Sequence, residues 1–137
     1  MDARAALRLP LAPGSVVLAL SSGAAIGGSP LSGGYASAKS AIRFLRAYGE
    51  DESKRAGLEI RFVALLPQLT PLGGVGAAGV TGYAARQGVA RETFIENLAP
   101  VLTPEQVAKA VVEITSNETS APEYQVNGTG LQALQNA

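Results

Sequence analysis

Three polar side chains in one glycine-rich stretch, Ser22, Tyr35 and Lys39, have the types and spacing that proton transfer requires. Twelve residues separate Ser22 from Tyr35, and Lys39 follows Tyr35 by four positions. On a helix, this spacing places the tyrosine and the lysine on one face. An ammonium group close to a phenol favours its ionised form, so the pair could act as an acid and base. The alternative is an ordinary pair of surface side chains, and spacing alone favours that alternative.

The amino-acid composition restricts the other chemistry that this chain could perform. The 137 residues include no histidine and no cysteine. Imidazole bases, imidazole and thiolate metal ligands, cysteine nucleophiles and disulfides are therefore excluded, and we expect no metal site. Any proton transfer must use Tyr, Lys, Asp or Glu.

Charge and hydropathy bear on partners and location. Eleven basic and eleven acidic residues cancel, which disfavours nucleic acid and anionic membranes as partners. No apolar run approaches the roughly 20 residues that span a bilayer, and the first residues do not resemble a secretory signal. We expect a cytoplasmic protein with a single domain over residues 1–137. The glycosylation sequons at Asn117 and Asn127 are then interpreted as chance matches.

Alternating strand and helix signals predict an α/β fold with a parallel sheet and flanking helices. Short apolar runs at Ser15–Leu20 and Leu58–Leu66 are typical of buried parallel strands. Between them, helical periodicity follows Ser32, a candidate N-cap, and ends at Gly57, a candidate C-cap. This order predicts a parallel βαβ unit. Ligands bind at the carboxyl ends of strands in such sheets, and Ser22 follows the first strand.

The second half of the chain carries weaker signals. We predict a Gly- and Pro-rich loop over Pro67–Gly82, then short helical stretches, then a helix that begins with a capping box of Thr103 and Gln106. Glu123–Gly128 is a candidate third strand. Within the loop, GVGAAG at Gly74–Gly79 matches the dinucleotide pattern G-x-G-x-x-G, but it does not follow a strand directly. We therefore interpret it as a flexible loop.

Acidic residues near the end of the predicted long helix alternate with basic ones. Glu50 with Lys54 and Asp51 with Arg55 have the favoured i,i+4 order of ion pairs. This pattern indicates a solvated helix face and not a metal site.

The segment that contains Ser22, Tyr35 and Lys39 resembles the active-site pattern of the short-chain dehydrogenases/reductases, in which a serine precedes Y-x-x-x-K by twelve residues. The similarity continues through GLEIRFVALLP, which looks like the strand before the cofactor loop of the family, and EYQVNGTG, which looks like its last strand. It covers about residues 5–131. The resemblance implies the C-terminal half of a doubly wound, Rossmann-like fold. We expect the first half of the family's domain, with its dinucleotide-binding turn, to be missing from this chain.

The resemblance implies hydride transfer between NAD or NADP and a small carbonyl or alcohol substrate. Tyr35 would exchange a proton with the substrate oxygen, Ser22 would hydrogen-bond to that oxygen, and Lys39 would support the ionised tyrosine and bind the nicotinamide ribose. Tyr35 would also lie against the cofactor, and backbone around Pro67 and Thr70 would meet its carboxamide. A homo-oligomer is implied as well. The alternative is a noncatalytic α/β fragment that acts by associating with another chain.

The predicted cofactor loop departs from the family pattern in two places. Gln68 stands where glycine is usual, and Leu72 stands where a threonine is frequent. Residues 73–98 would correspond to the substrate lid of the family, and their sequence does not indicate a particular substrate.

Overall fold

The computed structural model describes residues 2–116 and 121–134, so the sequon at Asn117 lies outside the described residues. The helices are α1 (Ala3–Arg8), α2 (Ala24–Gly27), α3 (Tyr35–Ala56), α4 (Gly74–Gln87), α5 (Arg91–Asn97) and α6 (Pro104–Ser116). The strands are β1 (Val16–Leu20), β2 (Arg61–Pro67), β3 (Glu123–Asn127) and β4 (Gly130–Ala133). No helix in these ranges combines the length and the apolar character that crossing a membrane requires.

The fold is α/β, with one open four-stranded sheet in the order β1-β2-β3-β4. The pairs β1–β2 and β2–β3 are parallel, as predicted, but β4 runs antiparallel to β3, so the expectation of a purely parallel sheet is wrong. The reason is a tight turn between Asn127 and Gly130, in which the Asn127 Oδ1 accepts hydrogen bonds from the Thr129 backbone N–H and hydroxyl. A connection this short can only join antiparallel strands.

Strand β2 is the centre of the core, because its residues 62–66 are buried on both faces of the sheet. On one face, Val63 and Leu65 pack with Ile114 of α6. On the other face, Phe62 packs with Ala6 of α1. Helices therefore cover both faces, which explains why β2 reads as a continuous apolar run.

Helix α3 begins at Tyr35 and not after Ser32 as predicted. The Ser32 hydroxyl donates to Ser29, and Gly33 adopts a left-handed φ of 54°, so the chain turns here and the helix begins after Gly34. The predicted C-cap is confirmed, because Gly57 is left-handed and its N–H donates to the Lys54 carbonyl.

The charged end of α3 is solvated largely as predicted. Glu50 pairs with Lys54 at 3.1 Å, but Arg55 pairs with Glu52, three residues earlier, in place of Asp51. The second oxygen of Glu50 accepts the Phe62 N–H at 2.8 Å, so this carboxylate also ties α3 to β2.

The prediction of a flexible loop at Gly74–Gly79 is wrong, because these residues form the first turns of α4. A Cβ on Gly76 would lie 1.9 Å from the Thr70 carbonyl oxygen, so α4 starts against the backbone of the preceding turn. Its other end is held by a cluster in which Val80 and Ala84 pack with Phe94 of α5. The capping box of α6 is confirmed, since Thr103 and Gln106 exchange both expected hydrogen bonds.

Candidate active site

Ser22 lies two residues beyond the carboxyl end of β1. The flanking N–H groups of Ser21 and Gly23 donate to the carbonyls of Leu65 and Pro67, both at 2.9 Å, which fixes this segment against β2. The Ser22 Oγ accepts the Ala24 N–H at 3.2 Å. That bond uses a lone pair only, so the hydroxyl hydrogen of Ser22 can still be donated to another acceptor.

Tyr35 and Lys39 lie on one face of α3, in its first two turns. The Lys39 Nζ is 5.7 Å from the centroid of the Tyr35 ring, within cation–π range. The same Nζ donates to the Leu20 carbonyl at 3.0 Å, and the Ser21 hydroxyl donates to the Lys39 carbonyl at 2.7 Å. The start of α3 is therefore tied twice to the end of β1.

The Tyr35 hydroxyl makes no hydrogen bond within the described part of the chain, and the residue is 37% exposed. The Tyr35 hydroxyl is therefore available to bind a ligand. Lys39, in contrast, is held in place by its bond to Leu20 while its ammonium group retains further donors.

One cavity of about 700 Å³ joins most of the predicted residues. This size is within the range of small-molecule sites. Ser22, Tyr35, Pro67 and Thr70 all line the cavity, while Lys39 lies beside Tyr35 and not in the lining. Other lining residues are Gly23, Ala24, Gly28, Ser29, Pro30, Leu31, Ser32, Gln68, Leu69, Val75, Gly76, Ala78, Gly79, Gly82, Tyr83 and Gln125.

Several polar groups of the predicted cofactor loop already form hydrogen bonds within the protein. The Thr70 hydroxyl donates to the Leu102 carbonyl at 2.5 Å and accepts the Leu72 N–H at 3.2 Å. The Gln68 N–H donates to Val126 at 2.9 Å and continues the ladder between β2 and β3. Thr70 therefore offers a ligand its backbone and methyl group more readily than its hydroxyl.

Of the nicotinamide dinucleotide that the resemblance implies, the donor set could hold one end. The Lys39 ammonium suits a ribose hydroxyl, and the polar backbone after β2 suits a carboxamide. None of the described residues that line the cavity is a lysine or arginine, so the lining lacks a cation for a pyrophosphate. The residues fit the nicotinamide riboside portion and not the phosphates.

Arg43, one turn after Lys39, is engaged elsewhere. Its guanidinium makes three hydrogen bonds of 3.0 Å, 3.2 Å and 2.5 Å to Glu123 of β3, whose side chain is only 5% exposed. Hydrogen bonding to Glu123 raises the pKa of Arg43 above its ordinary value. This pair ties α3 to the sheet and leaves Lys39 as the cation beside Tyr35.

The sequence did not point to Ser29 and Tyr83, whose hydroxyls form a hydrogen bond across 54 residues of chain. The Ser32 hydroxyl also contacts the Ser29 hydroxyl, so its one hydrogen is shared between that oxygen and the Ser29 carbonyl. All three residues line the cavity. No local spacing signals such a pair, because it depends on how α4 packs over the segment before α3.

Comparisons with protein-family models, curated proteins and solved structures found no match to this chain.

Proposed function

We propose that this chain provides the proton-transfer site of an NAD- or NADP-dependent oxidoreductase of the short-chain dehydrogenase/reductase type, on a Rossmann-like sheet. The observation that supports this most strongly is the Tyr35 hydroxyl, which has no hydrogen-bond partner in the described chain and lines a ligand-sized cavity beside the Lys39 ammonium. The resemblance of the sequence supplies the reaction class.

Each of the three polar side chains has a distinct role in this proposal. Tyr35 gives its proton to the oxygen of a carbonyl substrate, or takes one from an alcohol, at its phenolic oxygen. Ser22 donates its hydroxyl hydrogen, which the bond from Ala24 does not use, to the same substrate oxygen. Lys39 carries a positive charge that stabilises the phenolate left after proton donation.

The nicotinamide, when bound, supplies or accepts the hydride. Lys39 would hold its ribose through the ammonium donors that the bond to Leu20 does not use. Backbone groups between Pro67 and Thr70 would hold its carboxamide. The substrate would occupy the rest of the cavity, beneath α4.

The decisive experiment replaces Tyr35 in the protein produced from its natural gene. Turnover of a panel of aldehydes and ketones is followed by the loss of NADH or NADPH absorbance. Tyr35→Phe removes the proton donor and should lower turnover by about 10²-fold or more, with little change in cofactor affinity. Tyr48→Phe is the matched control, because Tyr48 lies on the exposed side of α3 outside the cavity. Near-normal turnover of Tyr35→Phe would contradict the proposal.

A noncatalytic role in association remains the second candidate. It is favoured by an apolar strip on α3, formed by Phe44, Leu45 and Tyr48, which are 62%, 58% and 63% exposed. Exposed apolar side chains grouped in this way are typical of interaction surfaces. Absence of turnover together with stable association through this strip would favour the second candidate.

A further inference from the structure

We infer that the cavity binds a neutral, mostly apolar carbonyl or alcohol compound. The hydrogen bond between the Ser29 and Tyr83 hydroxyls, here called the clasp, holds two walls of the cavity together around this compound. The inference rests on the proposed function for the reacting group. The size and polarity of the compound, and the role of the clasp, are inferred from the shape and charge of the cavity.

The described side chains that line the cavity provide no counter-charge for an ionic substrate, and Lys39, the cation beside Tyr35, lies outside this lining. None of the described residues that line the cavity is Asp, Glu, Lys or Arg, so a carboxylate or phosphate would lose water without gaining a charged partner. A neutral carbonyl compound has no such cost. Its single polar oxygen would meet the Ser22 and Tyr35 hydroxyls.

The walls are mostly apolar and leave room for a bulky group. Leu31, Leu69 and Val75 line the cavity, and Val75 is 79% exposed. On α4, a Cβ at Gly79 or Gly82 would come within 3.3 Å of a leucine methyl, that of Leu69 or Leu31 respectively. These two glycines therefore place the α4 backbone directly against the cavity, where side chains would narrow it.

The clasp joins the two walls at one point. Ser29 lies between α2 and α3, Tyr83 lies on α4, and their hydroxyls are hydrogen-bonded. The Tyr83 ring is stacked on Phe94 of α5, with centroids 6.4 Å apart and planes at 12°. Because the ring is fixed by stacking and the hydroxyl by Ser29, the bond holds the α4–α5 pair over the cavity.

The test measures binding and not turnover. The full chain is titrated with 2-acetonaphthone, a neutral ketone, and with 2-naphthoate, a carboxylate of nearly the same shape. Binding is followed by the amide NMR shifts of Gly79 and Gly82. We expect saturable shifts with the ketone and an affinity for the carboxylate at least about tenfold lower, because the buried carboxylate would be unpaired.

The clasp is tested with variants that remove single hydroxyl groups. Tyr83→Phe and Ser29→Ala should each weaken ketone binding by about threefold to tenfold, the range expected for one net hydrogen bond. The double variant should lose no more than Ser29→Ala alone, because that change already removes the bond that Tyr83→Phe removes. Thr115→Val serves as the control, because Thr115 is exposed on α6 outside the cavity, and this variant should bind as the unaltered chain does. If Tyr83→Phe does not fold, Ser29→Ala still decides the point.

Two results would overturn the inference. One is equal affinity for the ketone and the carboxylate, or ketone shifts that avoid Gly79 and Gly82. The other is unchanged ketone binding in folded Ser29→Ala. Because no turnover is measured, either failure is distinguishable from failure of the Tyr35→Phe experiment, which tests the reaction and not the pocket.

Discussion

Lys39 has two separable tasks in the proposed site, and the structure shows how one side chain can serve both. Its Nζ is held by the Leu20 carbonyl at 3.0 Å and lies 5.7 Å from the Tyr35 ring centroid. The ammonium group has three donors. One is used by Leu20, so others can reach a ribose hydroxyl while the charge acts on the tyrosine.

Lys39→Met should therefore weaken turnover and cofactor binding together. The methionine retains much of the aliphatic stem but removes the charge and the donors. We expect a loss of turnover of about tenfold or more, together with a higher Kd for the reduced cofactor, measured by calorimetry. Lys54→Met is the control, because it removes an exposed ammonium group near the other end of α3, outside the cavity. Loss of one property without the other would show that Lys39 has only one of the two roles.

The sequence predicts the relation of Tyr35 to Lys39 because four residues on a helix determine it locally. It also places Ser22 near them, since the carboxyl end of a parallel strand meets the start of the following helix. The bond between Ser29 and Tyr83 could not be predicted in this way. It depends on the path of the chain over 54 residues and on the stacking of Tyr83 on Phe94.

Among the elements, α3 depends on a glycine at a position where glycine is a poor helix former. Gly49 is buried within α3, and a Cβ there would lie 2.6 Å from the Cδ1 of Phe62 on β2. Its intrinsic cost of about 1 kcal/mol in a helix is offset by the close packing of α3 on the sheet.

Gly49→Ala should destabilise the fold despite the higher helix propensity of alanine. We expect the free energy of unfolding to fall by about 1–3 kcal/mol, the usual range for overpacking a core, measured by urea denaturation. Gly74→Ala is the matched control, because a Cβ at that first position of α4 meets nothing within 4 Å. A Gly49→Ala variant as stable as Gly74→Ala would mean that α3 can shift from β2 without cost.

Elements with complete local signals were predicted well, and those decided by packing were not. The capping box at Thr103 and the left-handed Gly57 are specified by adjacent residues, and both are confirmed. The start of α4 was missed because four glycines between 73 and 79 disfavour a helix locally. Contact with Thr70 and the cluster around Val80 and Phe94 outweighs that preference.

At the scale of the whole molecule, two surfaces favour association. The apolar strip of Phe44, Leu45 and Tyr48 projects from α3. Strand β1 is an edge of the sheet and pairs only with β2 among the described residues. Exposed apolar side chains and an open strand edge are both features that folded proteins usually cover.

We expect a dimer or larger assembly at tens of micromolar in sedimentation velocity. Leu45→Glu should shift the population towards monomer, because a charge would be buried in an apolar contact. Val112→Glu is the control, since Val112 is similarly exposed but lies on α6, away from the strip. A well-folded monomer of the unaltered chain would contradict the expectation. Equal effects of the two variants would show that the strip on α3 is not the contact surface.

The charge of the cavity also determines what the 137-residue chain can hold by itself. Lys39 and the backbone after β2 fit nicotinamide and its ribose, but no cationic side chain among the described residues lines the cavity for a pyrophosphate. The phosphates and adenosine of a dinucleotide usually contribute interactions that offset several kcal/mol of association entropy. Without them, the affinity for NADH should be about millimolar or weaker.

Reduced nicotinamide mononucleotide provides the comparison that isolates this effect. If the chain contacts only the nicotinamide end, NADH and the mononucleotide should bind with Kd values within about threefold of each other, measured by fluorescence titration of each reduced nicotinamide. Lys39→Met should weaken both equally. Micromolar binding of NADH with much weaker binding of the mononucleotide would contradict this prediction, because it would require a site for the pyrophosphate. The N–H groups of the first turn of α4, at Gly74–Gly76, would then become the first candidates for that site, and Gly74→Pro, which removes one of these donors, would test them.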